Sequence, residues 1–410
     1  MTTTAAPKVK GTSKLGEKKF SLNVNSKEFL KACNIAAKAI DPRPIVPAFG
    51  YIKIDVESGQ MTLCGSNSKH LVTTTLSCDE KSAPYSFLFP SELGLKLLRS
   101  LPDTSIEISQ YQNNGWKDVK SSGGVSSIQF EAFTIRIECG GNSYQLETEN
   151  PADFTIPKLS GEFVEIFLPL AELSKSIFYC KDSVAEEGKS QEHLEGILVA
   201  IQHEELIVAS SDNVVLVERR VPVRNDDNLD ARINVPIAFA SLLPVCSGEI
   251  ACLKIYDDSI EVTDNVTTVR VMLRNVQFPA YEAMLPTSFA TKASTTMDSL
   301  GAAISRSTLF ANQVSGLAKL SIQDNGFTVD VPPGVYSNES SESVEMTHFE
   351  GSEMGICLNC RKVNDILGKI SGGGNVLLNM NGRMKAILVL PESDPGLKIL
   401  VIPIDEEKAP

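Results

Sequence analysis

The sequence predicts an α+β fold made of three similar domains. Most of the 410 residues read as short β-strands, six segments break that pattern with helical spacing, and the six recur at near-regular intervals. The strand segments include FSLNV (20–24), YIKIDV (51–56), QMTLCG (60–65), HLVTTTL (70–76), ELIVAS (205–210), VVLVERRV (214–221), IEVTD (260–264), VRVMLRNV (269–276) and AILVLP (386–391). They are rich in Val, Ile, Leu and Thr and are separated by polar turns.

The helical segments are 26–40, 90–101, 169–183, 236–247, 295–312 and 359–371. Pro90, Pro169 and Pro236 stand where a helix begins, a position that tolerates proline, and Pro244 is expected to end or kink the fourth helix. The starts are 64, 79, 67, 59 and 64 residues apart, which reads as an internal repeat. Two helices with their strands make one domain, giving domains at 20–150, 151–286 and 287–404. The joints are the proline-containing stretches NPADFTIPKLS (150–160) and FPAYEAMLPTSFA (278–290). The widest gap holds QNNGWKDVKSSGGVSS (112–127), a hairpin insertion by its Gly, Ser and Asn content. Residues 1–19 read as a disordered basic arm of net charge +4, with an organelle transit peptide as the alternative, and residues 405–410 as an acidic tail.

Composition narrows the function. The net charge of −13 is unlike that of a dedicated duplex-wrapping protein, so any nucleic-acid contact must be local. One Trp and 6% aromatic residues argue against stacking platforms for single strands. Nine scattered cysteines fit reduced thiols in a cytoplasm better than a disulfide framework. No 18-residue apolar run is present, so no membrane partner is expected.

The helical segments carry eleven basic and six acidic residues in an otherwise acidic chain. On the first, Lys27, Lys31 and Lys38 share a face opposite Phe29, Leu30, Cys33 and Ile40 at 100° per residue. Lys362 and Lys369 are aligned on the last. Two readings stay open: ordinary solvated helix faces, or one shared basic surface.

No catalytic constellation emerges. Cys357 and Cys360 form a lone C-x-x-C without a second ligand pair, and the four histidines are dispersed. GGGN (372–375) lacks the Lys-Ser/Thr of a phosphate loop. No metal, cofactor or enzymatic activity is expected.

From about Phe20 to Ile404 the chain resembles the bacterial β sliding clamp family, the processivity subunits of replicative DNA polymerase. The resemblance rests on AKAIDPRPIVPAFGYIKIDV (37–56), FPSELGLKLLRSLPD (89–103), NPADFTIP (150–157), HLEGILVAIQHEELIVASSDNVVLVERRVPV (193–223), FPAYEAMLP (278–286), MDSLGAAISRSTLFAN (297–312) and ILVIPI (399–404), in that order and spacing. It implies β-α-β-type repeats with outer sheets and inner helices, in a head-to-tail homodimeric ring around double-stranded DNA. The implied partners are the replicative DNA polymerase, a clamp loader and other proteins with a clamp-binding motif, in the cytoplasm at the nucleoid.

By the same resemblance, Arg43, Lys27, Lys31, Lys96 and Arg99 would face DNA, with Arg43 as a carbonyl-bound turn residue the alternative. Tyr144 and Leu146 match one side of the subunit interface and Leu309 and Phe310 the other, or all four belong to intradomain cores. A groove for a short hydrophobic peptide maps onto Leu194, Gly196, Ser211, Asn213, Leu216, Pro279, Met284, Leu400, Ile402, Pro403 and Ile404. The chain departs from many members at Asn213-Val214 (where they have Gly-His), at Ala283 and at Gln191 (where they have Arg). Rival readings are a phage, plasmid or organellar paralogue with narrowed partner choice, a nucleic-acid-processing enzyme, and a protein-binding repeat scaffold.

Overall fold

Alternation of apolar and polar residues sets the strands. In β2 (Tyr51–Glu57), Ile52, Ile54 and Val56 are buried while their neighbours face outward. The computed structural model describes residues 16–78, 84–121, 124–156, 159, 161–189, 191–333 and 338–405, with the backbone alone over 114–130. Residues 1–15 of the expected arm and 406–410 of the expected tail lie outside the described residues.

The chain divides into two units: residues up to Ser160 together with Asn265–Arg270, and Gly161–Asp264 together with Val271 onward. The first unit holds β1 (Glu17–Asn25), α1 (Ser26–Ala36), β2, β3 (Gln60–Ser66), β4 (His70–Ser77), β5 (Tyr85–Pro90), α2 (Ser91–Ser100), β6 (Ser105–Ser121), β7 (Gly124–Cys139) and β8 (Asn142–Thr148). The strand orders are β1-β6-β7-β8 and β5-β2-β3-β4. Phe29 of α1 and Leu98 of α2 enter one core with Leu22, Ile54, Phe87 and Ile137. Asn25 caps α1, its Oδ1 accepting from the amides of Lys27 and Glu28 at 2.8 and 3.1 Å. Gly65 of β3 lets the end of α1 approach, since a Cβ there would stand 2.0 Å from the Ala36 carbonyl oxygen.

The second unit contains β9 (Val164–Pro169), α3 (Leu170–Cys180), β10 (Gly196–Gln202), β11 (Glu205–Ser211), β12 (Val215–Pro222), β13 (Ala231–Pro236), α4 (Ala238–Leu242), β14 (Ile250–Ile255) and β15 (Ser259–Thr263). After β16 (Thr267–Met272), whose residues to Arg270 group with the first unit, come β17 (Thr291–Thr296), α5 (Met297–Thr308), β18 (Leu317–Gln323) and β19 (Gly326–Val331). The chain continues through β20 (Ser340–Val344), β21 (His348–Glu350), β22 (Met354–Asn359), α6 (Cys360–Leu367), β23 (Asn375–Met380), β24 (Ile387–Pro391) and β25 (Leu397–Val401). A nine-stranded sheet runs β13-β10-β11-β12-β25-β24-β23-β17-β21, and a four-stranded one runs β20-β19-β18-β22.

Helices pack in sequential pairs, α1 on α2, α3 on α4 and α5 on α6, as the repeat predicts. The expected second and third domains nevertheless group in one unit. Their sheet is continuous, because β12 pairs with β25 from Val215↔Val401 to Arg219↔Leu397. Ion pairs reinforce that seam: Lys362–Asp212 at 2.8 Å, Lys369–Asp182 at 2.7 Å, and Asp394 with both Lys175 (2.7 Å) and Arg219 (3.0 Å).

Several expected boundaries shift. The first strand begins at Glu17, so 17–19 belong to β1 rather than to an arm. Pro90 and Pro169 close strands and occupy the N-cap, where their fixed φ of −61° suits an extended residue. The fourth helix is five residues of α-helix followed by a 3-10 turn containing Pro244. The strand expected at 269–276 ends at Met272. The insertion is a two-stranded ribbon: β6 and β7 stay paired from Glu107↔Glu138 to Ser121↔Gly124, so its return arm extends beyond residue 127.

Candidate functional site: a sheet-borne groove and the cationic helix faces

Of the expected groove residues, Leu194, Leu216 and Leu400 share one apolar cluster on the nine-stranded sheet. Ser211 pairs with Leu216, Leu216 with Leu400, and Leu388 with Leu400. Leu194, Leu216 and Leu400 join Phe278, Tyr281, Leu198 and Leu388 in a single buried cluster. The β11–β12 turn forms its end wall. Asp212 Oδ1 accepts from the amides of Val214 (3.0 Å) and Val215 (2.9 Å), and Asn213 sits at φ +68°. That left-handed turn explains why Asn can replace the Gly of many relatives, since Asn tolerates positive φ better than most side chains. Ile402 donates its amide to the Val214 carbonyl at 2.9 Å and Ile404 to that of Cys357 at 2.8 Å, which sets the chain after β25 beside this turn. Gly196 permits a close crossing, because a Cβ there would lie 2.1 Å from Asn234 Oδ1.

The loop bearing Pro279 and Met284 packs on the same cluster through Phe278 and Tyr281. Met284 is 60% exposed, whereas Leu194, Leu216 and Leu400 are closed over. A ligand would meet Met284 and the half-buried Leu285, Phe289, Leu390, Ile402 and Ile404 first. The loop is tied down twice. Arg232 donates to Glu282 (2.8 Å) and to the Pro279 carbonyl (3.1 Å). Tyr281 donates its hydroxyl to Glu218 at 2.6 Å. Glu218 is fully buried and also accepts from Arg220 (2.9 and 3.1 Å) and Lys398 (3.0 Å). Burial pushes the Glu218 carboxyl up, but its hydrogen bonds from Arg220, Tyr281 and Lys398 outweigh that and hold it below the usual range. Burial, then the Glu218 charge, raises the Tyr281 phenol.

Phe278, Tyr281, Leu388 and Glu218 are absent from the sequence-derived set. For Leu388 the continuous apolar run AILVLP was a usable signal. Nothing local marks Glu218 as a buried anion.

The helix cations divide into two groups. The last carbonyls of a helix lack intrahelical partners and carry partial negative charge. Lys27 of α1 spends its ammonium there, donating to the Leu101 carbonyl at 2.6 Å and to that of Arg99 at 3.5 Å, at the end of α2. Arg361 does the same past α5, at Ala311 (2.9 Å) and Asn312 (3.3 Å). Lys369 does so in the last turn of α3, at Phe178 (3.0 Å) and Tyr179 (3.2 Å). Burial pulls the Lys369 ammonium below the usual lysine range despite Asp182. Lys96 pairs with Glu92 at 2.7 Å, and Arg99 donates to Asn34 at 3.2 Å.

Of the eleven helix bases, only Lys31 and Lys38 are without a partner among the described residues. The basic asymmetry is thus largely structural, and Lys27 is a helix cap. The Arg43 guanidinium is exposed and also unpartnered among the described residues. Only its backbone amide is used, on Asp41 at 2.7 Å. The carbonyl-bound turn reading of Arg43 therefore lacks support.

The four interface candidates also separate. Leu309 is 78% exposed and Phe310 36% exposed just past α5. Tyr144 is half-buried against the first unit's core, and Leu146 is core itself. Leu146 is only 5% exposed, and that remainder borders a cleft. Beside it, Gly50, Tyr51, Pro90, Leu93 and the edge strand β8 line an open cleft of about 550 Å³. None of the nine cysteines is in a disulfide among the described residues. Burial raises the Cys360 thiol to about 11, which suits a structural role for this half of the C-x-x-C.

Comparison with known proteins matches this architecture to a class. A family profile described as the DNA polymerase III beta subunit, N-terminal domain, matches residues 20–154. The beta sliding clamp of Staphylococcus aureus is 23% identical over 389 residues, covering 92% of this chain and 97% of that protein. That of Streptococcus pneumoniae is 22% identical over 399 residues, covering 94% and 98%. The crystal structure of the DNA polymerase III subunit beta from Pseudomonas aeruginosa superposes with a TM-score of 0.83 at 17% identity, over 94% of this chain and all of that one. The beta subunit from Streptococcus pyogenes gives 0.82 at 19%, with the same coverage. The fold is that of the sliding clamps. Over nearly its whole length the chain is similar to the bacterial β sliding clamps of DNA polymerase III, and its residues 20–154 match that family's N-terminal domain.

Proposed function

We infer that two copies of this chain close head to tail around duplex DNA and tether the replicative polymerase to it. In this reading the clamp loader and other motif-bearing proteins share the groove, and the protein works without catalysis in the cytoplasm at the nucleoid. Its three clamp domains are 20–150, 151–286 and 287–404.

One observation carries the reading. The chain offers two unlike free sheet edges, β8 and β20, each terminal in its sheet. Unlike ends favour a heterologous contact, which forms a closed ring when the rotation fits. Leu309 and Phe310 of the second unit supply exposed apolar anchors, and the cleft beside Leu93 and β8 of the first unit is a receptor of suitable size. Arg43, Lys31 and Lys38 are free to meet phosphates, which attract without specifying sequence and so permit sliding.

The test loads the protein onto closed circular DNA and then cuts the circle. Topological binding predicts survival at salt that abolishes binding to linear duplex, followed by release on cutting. Equal release rates from circular and linearised DNA would sink the ring mechanism.

A further inference from the structure

We propose that Tyr281 is the positioning residue of the partner groove: its hydroxyl, anchored on buried Glu218, holds the Pro279–Met284 wall at the spacing a peptide requires. This inference rests on the groove reading above and goes beyond it. The two walls come from different parts of the chain, the sheet through Leu216 and Leu400 and the loop through Pro279 and Met284.

Tyr281 bridges the walls. Its ring lies in the floor cluster, edge-on to Phe278 with centroids 5.9 Å apart, and its hydroxyl reaches Glu218 two residues along β12 from Leu216. Its carbonyl in turn accepts the Met284 amide at 2.8 Å, so the position of Met284 follows that of Tyr281. The anchor is rigid because Glu218 accepts from three donor residues on β12, β25 and the loop, and Arg220 is braced again by Glu205 at 3.3 Å. The charges facing the anchor balance: Glu218 and Glu205 against Arg220 and Lys398. Tyr281 is 1% exposed, so it cannot itself be a contact surface for a docking peptide.

A residue that only sets the population of a competent site slows association and leaves dissociation alone, since apparent affinity scales with the competent fraction. Tyr281→Phe keeps the ring and removes the tether. The probe is the labelled C-terminal peptide of the replicative polymerase from the same organism, followed by stopped flow on wild type, Tyr281→Phe and Met284→Asp. Tyr281→Phe should lose about tenfold in association rate with dissociation unchanged within about twofold. Met284→Asp should weaken binding through dissociation. Amide exchange at Met284 and Leu285 should speed up in Tyr281→Phe while the dimer mass stays the same.

A loss carried by dissociation would overturn the positioning role. So would wild-type binding by Tyr281→Phe beside a weakened Met284→Asp, which would leave the groove standing. Unchanged exchange at Met284 would also overturn it, independently of any peptide. Equal binding by all three proteins would overturn the groove and the tether together.

Discussion

Lys27 and Lys31 lie one helical turn apart on α1, yet the structure assigns them opposite consequences. Replacing Lys27 with Met removes the ammonium that caps the end of α2 and leaves the Leu101 carbonyl, in a residue only 5% exposed, without its donor. A hydrogen bond to a charged group contributes about 1.5–3 kcal/mol net. Lys27 is half-exposed, which places it toward the lower end, at about 2 kcal/mol once the helix-dipole interaction is included. Spread over a unit of this size, that lowers the melting temperature by about 4–8 °C.

Replacing Lys31 with Met touches no described partner, so the melting temperature should stay within about 1–2 °C of wild type. It should instead weaken the salt-dependent binding to linear duplex, while retention on closed circles stays topological. Each lost phosphate contact lowers the slope of log affinity against log salt by about 0.9, and a two-copy ring loses two contacts, or about 1.8. Calorimetry and a salt series on linear duplex measure the two effects separately. The reasoning is refuted if Lys27→Met melts like wild type while losing DNA, or if Lys31→Met lowers stability with an unchanged salt slope.

Four further outcomes are expected. Leu309→Ala with Phe310→Ala should shift the protein from dimer toward monomer in light scattering, each anchor costing about 1–4 kcal/mol if well buried in the interface. Met284→Asp should abolish polymerase stimulation while leaving the dimer mass intact, because it places a charge on an apolar wall far in sequence from the interface and cationic residues. The folded-state carboxyls of Glu218 and Asp394 are both held below their ordinary values, so their contribution is complete above those values and is lost as pH falls through the folded ones. Urea midpoints should therefore be flat above about pH 5 and fall below about pH 4; Glu218→Gln should lower the neutral-pH midpoint and make the acid limb shallower.

Local signals in the sequence were enough for the scaffold. Helical spacing located all six helices, runs rich in Val, Ile, Leu and Thr between polar turns located the strands, and proline marked where one passes into the other. These features depend on a few neighbouring residues, because helix and strand burial repeat over short distances. Where the signal was ambiguous the boundaries moved. Pro244 cut the fourth helix to five residues, and the ribbon ran past residue 127 because pairing continues for as long as the backbone register allows.

By itself, then, the sequence determined the α+β repeat, its pairs of helices, and a family resemblance, and that resemblance alone grouped Leu194, Leu216 and Leu400. The tertiary structure alone decided which charges are available. Lys27 meets a carbonyl 74 positions away and Lys369 one 191 positions away, so a helical wheel that groups Lys27 with Lys31 cannot tell a cap from a free cation. It likewise placed Leu146 in the first unit's core as well as at the edge of a cleft, and made Glu218, unremarkable in VVLVERRV, the buried anchor of a loop more than 60 residues later. The physical reason is common to all three. A charge or an apolar group acquires its role from the groups that desolvate and pair with it, and in a sheet-rich fold those groups arrive from distant strands.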